Sequence, residues 1–428
     1  MSSNPKSATC FIANVVALAA GLAVIWTLAQ GRDAPVSALV SYLPMLPCVA
    51  VFIIIAAAEW WLRGNRRLGA LDWSPVPQRA VDYQRVGLAV LGLLATLSLI
   101  ALAYWLFPEY HGDFYQPYWQ FLSTLAPLIV LVPPYFIWAD RRTPQPRDEF
   151  VELGRLVIGQ WREVDRALIQ RHLLGWTVKA FFLPLMTVYL NNEMNAVIRM
   201  LRGGGTPALL GFDGLFHVSY TIDLLFCVVG YTATMRWLGS HMRSVEPTTI
   251  GWVAALICYQ PFYSVIGRFY LPYEGPLLWD QWLAPWPMLR GAWGAGIVAL
   301  CMFYALATVA FGIRFSNLTH RGIITSGPYR YSKHPAYLSK NLSWWLISVP
   351  LVAGQGWPTA LRHCLMLLLL NAVYFLRART EERHLSRDAI YVAYAQWVNE
   401  HGLLSGLGRV MPWLRYRPPA QATAPAWR

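Results

Sequence analysis

The sequence predicts an all-α, polytopic transmembrane helical bundle of about ten spans, and three observations predict it. The chain is 56% hydrophobic and only 13% charged, whereas soluble domains carry about 25% charged residues. Apolar runs long enough to cross a hydrocarbon core of about 30 Å recur along the whole length. Basic residues cluster between alternate runs, the pattern of a positively charged cytoplasmic face.

The spans are read in order at approximately 10–30, 38–62, 86–107, 118–139, 177–198, 214–238, 251–270, 291–315, 338–355 and 360–378. The first is longer than the apolar region of a signal peptide and reads as a retained span. The fifth contains Pro184 and ends in Asn191, Asn192 and Glu193, so a broken or short helix is expected there. Gly354, Gly356 and Pro358 separate the last two runs and read as a tight hairpin. These runs group into an N-terminal region 1–175, a middle region 176–290, a C-terminal domain 291–417 and a disordered tail 418–428.

Loop charges orient the bundle. Arg63, Arg66, Arg67, Arg79 and Arg85 fill one loop, and Arg141, Arg142, Arg147, Arg155, Arg162, Arg166 and Arg171 another. His241, Arg243, Arg321, Arg330 and Lys333 follow on the same side. Opposite loops are poorer in base: 108–117 carries Glu109 and Asp113, and 271–289 carries Glu274 and Asp280. Trp279, Trp282 and Trp286 suggest an interface belt there, and Arg199 with Arg202 is the exception. Both termini are therefore expected in the cytoplasm of a bacterial inner membrane. The segment 144–175 reads either as an interfacial amphipathic helix or as a solvated connector.

The net charge of +13 is explained by topology and anionic lipid, so no nucleic-acid partner is expected. The six cysteines lie in or beside apolar runs with no CxxC spacing, so no metal site or disulfide framework is expected. Asp223 sits inside the sixth run. It reads either as an acid facing a cavity or as a polar contact between helices.

One stretch departs from the apolar pattern: Gly327-Pro328-Tyr329-Arg330-Tyr331-Ser332-Lys333-His334-Pro335-Ala336-Tyr337. Gly327-Pro328 is a turn signal. His334-Pro335 reads as a helix start, where proline costs no hydrogen bond and free N–H groups suit an anion. Glu381 and Glu382 follow His334 by 47 and 48 residues, the length of two membrane crossings. A hairpin would return this acid pair to the mouth that holds the imidazole.

Gly-Pro-Tyr-Arg-Tyr-x-Lys-His-Pro-x-Tyr, then Glu-Glu-x-x-Leu and Tyr391-x-x-Tyr394, resembles the isoprenylcysteine carboxyl methyltransferase and phospholipid methyltransferase superfamily over roughly 300–400. The resemblance implies a cytoplasm-facing pocket for S-adenosylmethionine. It places His334, Pro335 and Tyr337 at the cofactor, Glu381 or Glu382 on its polar end, and Tyr329 and Tyr331 at the rim. It also implies a lipid or prenylated, lipid-linked acceptor within the bilayer. Arg330 and Lys333 would favour an anionic acceptor, and Asp223 or His320 would serve as base for an amine. Many relatives have arginine where Lys333 stands, and spans one to seven have no counterpart in the smallest enzymes of this kind. The competing readings are an NADPH-dependent enzyme like the sterol reductases and a non-enzymatic transporter or scaffold.

Overall fold

The computed structural model describes residues 3–31, 44–63, 71, 80–143, 148–275, 278–352 and 356–418. The disordered-tail expectation for 418–428 falls almost wholly outside them, as do Arg66, Arg67, Arg79, Arg147 and Gly354.

The chain is an all-α, multi-pass helical bundle. In chain order the helices are α1 (Phe11–Gln30), α2 (Met45–Arg63), α3 (Tyr83–Leu106), α4 (Gln116–Leu125), α5 (Val132–Arg142), α6 (Glu149–Val157), α7 (Arg166–Leu210) and α8 (Phe212–Thr232). They continue as α9 (Thr249–Leu256), α10 (Phe262–Val265), α11 (Trp279–Trp282), α12 (Pro287–Phe311), α13 (Pro335–Ser348), α14 (Trp357–Leu385), α15 (Ala389–His401) and α16 (Ser405–Val410). Two short strands, β1 (Ser244–Val245) and β2 (Thr319–His320), pair antiparallel.

Among the described residues, seven helical segments are long and apolar enough to cross a membrane, and Met45–Trp61 is a shorter apolar helix. Three of the ten expected spans are thus not among the seven: 38–62, whose described part is that shorter helix, and two more. The run 251–270 divides into α9, a turn at Pro261, α10 and a π-helical turn over Ile266–Tyr270. Proline lacks the N–H that a continuous helix needs there. The run 338–355 supplies α13, only 14 residues long, or about 21 Å against a core of about 30 Å. It stops at Val349, whose φ of 34° is left-handed.

The expectation of a broken fifth span is corrected. α7 runs through Pro184 and both asparagines for 45 residues, and its non-helical residue is Gly205. Arg199 and Arg202 lie on this continuous helix. Arg202 donates to the carbonyls of Leu28 and Gly31 at 3.2 and 2.7 Å. It caps the C-terminal end of α1, where a cation is favourable. Trp279 is buried against Phe212, so it belongs to the core and not to an interface belt.

α8 is the centre of the molecule. Residues Thr221–Tyr231 are buried without interruption, and α7, α12 and α2 pack around them. Backbones approach closely where side chains vanish. A Cβ on Gly92 of α3 would lie 2.0 Å from the Phe150 carbonyl, and one on Gly154 of α6 would lie 2.0 Å from that of Leu88. Within the segment read as an interfacial or solvated helix, α6 is locked to α3, with Val151, Glu152 and Leu153 buried. Asp148 caps α6 by accepting from Val151 N at 2.9 Å.

The N-terminal segment joins the far end of the chain. Ala8 N donates to Ile323 O at 2.8 Å, Thr9 Oγ1 to Ala310 O at 2.6 Å, and Asn14 Nδ2 to Val309 O at 2.8 Å. The start of α1, the start of α13 and the ends of α8, α12 and α14 therefore share one end of the bundle.

Candidate active site

The site is built at that shared end. α12 stops at Gly312, with φ 54°. The chain then crosses the end of α8, where Arg321 holds the backbone in place. Its Nε donates to Ser240 O at 2.6 Å, and its Nη1 to Gly230 O and Phe315 O, both at 2.7 Å. Its Nη2 reaches Ala233 O and Ile313 O at 3.1 and 2.8 Å. A guanidinium fork thus satisfies carbonyls that a helix end leaves unpaired.

A turn at Gly327, with φ 63°, leads to His334 as N-cap and Pro335 as first residue of α13. His334 Nε2 lies 3.3 Å from Glu382 Oε1, and its Nδ1 lies 3.8 Å from Glu381 Oε2. Lys333 Nζ is 2.7 Å from Glu382 Oε1, and Arg379 Nη1 donates to Glu382 Oε2 at 2.7 Å. The Tyr337 hydroxyl donates to Glu381, and its ring stacks on His334 with centroids 5.5 Å apart. Arg377 Nε lies 3.4 Å from Glu381 Oε1, and its guanidinium covers the Tyr337 ring at 5.0 Å. Burial holds the Lys333 ammonium below the usual lysine range, with Glu382 opposing that shift.

This cluster separates two cavities, of about 150 Å³ and about 470 Å³. Lys333, His334, Tyr337 and Tyr374 line both. Tyr329 and Glu381 line the smaller, and Tyr331 and Glu382 the larger. Pro335 is buried at the helix start. Arg330 is exposed and lines none of the described cavities. Asp223 is buried on α8 and accepts from Tyr304 Oη at 2.8 Å and from Thr308 Oγ1 of α12. It is a polar contact between two helices, and its two partners, rather than Asp223 itself, line the smaller cavity. His320 does line it, with Nε2 3.3 Å from Asp388 Oδ2.

Sequence reading missed Arg377, Arg379 and Lys340. Lys340 lies one turn beyond Tyr337, and the i, i+3 spacing from Tyr337 was its available signal. Its ammonium sits over Tyr304, Trp344 and Tyr374 at 5.6, 5.4 and 5.8 Å and lines the smaller cavity. Arg377 is fixed from behind: Nη2 donates to Asn317 Oδ1 at 2.6 Å, and Asn317 Nδ2 donates to Tyr231 Oη at 2.8 Å. Two buried hydroxyls on the smaller cavity, Thr319 Oγ1 and Tyr391 Oη, have no hydrogen-bond partner among the described residues. A polar ligand would satisfy them.

Fold and cluster together define a polytopic helical membrane protein with an ionic site at one end of its bundle. Residues 295–387 match the model of the isoprenylcysteine carboxyl methyltransferase (ICMT) family. The resemblance read over 300–400 is thereby borne out, and it supports a membrane methyltransferase acting on a lipid-linked substrate. No curated protein and no solved structure matches the chain.

Proposed function

We propose that the chain transfers the methyl group of S-adenosylmethionine to a carboxylate or anionic headgroup of a lipid-linked acceptor at the cytoplasmic face. The observation that carries this reading is the meeting of His334 with both Glu381 and Glu382 inside the family-matching segment. The residues suit the cofactor. The acids and the unsatisfied Thr319 and Tyr391 hydroxyls answer an amine, a ribose and a purine, and the tyrosine rings answer a cation. When bound, the cofactor supplies an electrophilic methyl group on a sulfonium.

The chain's own part is alignment and dehydration. Lys333 and Arg379 keep Glu382 fixed, and Arg377 keeps Glu381 fixed beside Tyr337. The acceptor anion is assigned to Lys340, because Arg330 points away from the cavities and Lys333 is taken by Glu382. In-line methyl transfer to an oxyanion needs no general base, and positioning alone supplies several orders of magnitude.

The test is incubation of membranes carrying the full chain with radiolabelled S-adenosylmethionine. Label should enter the lipid extract, and His334→Ala or Glu382→Gln should abolish it. Oxidation of NADPH without methyl transfer would replace this reading with a reductase.

A further inference from the structure

A third cavity of about 280 Å³ lies between α3, α5, α6, α7 and the segment 234–242, outside the residues that match the family. Its charged groups pair off almost completely. Asp140 accepts from Arg85 Nη2 at 2.8 Å, Glu149 accepts from Arg171, and Arg236 Nη2 lies 3.3 Å from Glu149 and 4.0 Å from Asp148. Three carboxylates thus answer three guanidinium groups.

Lys179 is the cation left over. Among the described residues it makes no ion pair, and its ammonium rests over the Trp176 ring at 4.5 Å. An ammonium held in a membrane helix without a counter-ion is costly unless something answers it. Two further nitrogens on this cavity, Arg171 Nε and His241 Nδ1, are buried without a partner among the described residues. Burial, then Arg236 and Arg243, pull the His241 imidazole down to about 4, so at neutral pH it is uncharged and can donate from Nδ1. Among the described residues, three groups that can donate and have no hydrogen-bond partner face one space, and no carboxylate there is left to spare. Leu93, Val132 and Phe136 make the rest of its wall apolar.

Lysine is rare here. It occurs only at 6, 179, 333 and 340, and the last three line cavities. Elsewhere the chain uses arginine for its positive charge.

We propose that this cavity is a second binding site, one that takes an oxyanion carried on an apolar tail, with Lys179 as its counter-ion. The site does not depend on the methyl-transfer reading, since it shares no residue with the His334 cluster.

The test titrates the purified full-length chain in dodecyl maltoside with decyl phosphate, inorganic phosphate and decyltrimethylammonium, by calorimetry and thermal unfolding. Decyl phosphate should bind saturably and raise the unfolding midpoint. Lys179→Met should weaken that binding at least tenfold, while its ligand-free midpoint stays level or rises, because a half-buried charge without a counter-ion is removed. Lys340→Met, which removes the cation assigned to the acceptor, should keep the binding that Lys179→Met loses. Equal affinity in Lys179→Met overturns the proposal. So does inorganic phosphate or decyltrimethylammonium binding as tightly as decyl phosphate. Should Lys179→Met not fold, Leu93→Phe fills the cavity without touching a charge, and undiminished binding in that variant overturns the proposal equally.

Discussion

Glu382 is the residue on which the site turns, because it faces Lys333, His334 and Arg379 at once. Glu382→Gln keeps the shape and removes the charge. Losing one charged hydrogen-bond partner of this kind costs about 1.5–3 kcal/mol. Equilibrium dialysis with labelled S-adenosylmethionine should therefore show affinity falling about 10- to 100-fold. Lys340→Met tests a different part. It should raise the acceptor KM at least tenfold and leave cofactor affinity unchanged, and a loss of cofactor binding instead would move Lys340 to the other side of the reaction. His320 gives a pH signature. Burial outweighs nearby Asp388 and lowers its imidazole to about 4. The unfolded chain then binds more protons between about pH 6.5 and 4, so stability is full above that window and is lost as pH falls through it. The contribution is about 3 kcal/mol. Thermal unfolding from pH 7 to 4 should show the midpoint dropping, and His320→Gln should flatten that acid limb.

At the scale of elements, the crossing of α3 and α6 rests on two facing glycines. Gly92→Val would press a side chain into the Phe150 carbonyl, backbone that cannot yield as a flexible side chain would. Such overpacking costs about 1–3 kcal/mol or more. Thermal unfolding in detergent should show a lower midpoint, and a midpoint equal to the native one would mean the helices separate freely. This scale also shows what was legible beforehand. The spacing of a hairpin predicts that His334 meets Glu381 and Glu382, and they do meet, yet α13 is too short to be a full crossing. The juxtaposition follows from a part-depth helix returning into a long one. Asn191 and Asn192 suggested a break because polarity reads as weakness in a span, whereas Asn191 is buried within a continuous α7. Lys340 and Arg377 escaped notice because a single cation in an apolar run does not announce which rings surround it. The family motif was legible because turn, proline and charge fall within eleven consecutive residues. The third cavity was not, because its walls come from five separate parts of the chain.

For the whole molecule, the shared end gives a topological prediction. Lys6, Arg330 and His334 lie on elements joined at that end, and Gly112 follows α3 at the opposite one. Single cysteines at Lys6 and Arg330, on a cysteine-free background, should react with an impermeant maleimide from the same side of a sealed vesicle. A cysteine at Gly112 should react from the other. Labelling of Lys6 and Arg330 from opposite sides would separate the N-terminal segment from the site.

The bonds from Thr9 and Asn14 to Val309 and Ala310 also set a timetable. Thr9 and its partner are 301 residues apart in the chain, so the segment that carries Thr9 finds its place only after α12 has been made. Until then its hydroxyl and amide groups must be kept by water, lipid headgroups or an insertion factor. Contacts this distant in sequence close late. A bulky tag fused before Asn4 would thus interfere when this segment docks beside the newly formed α12.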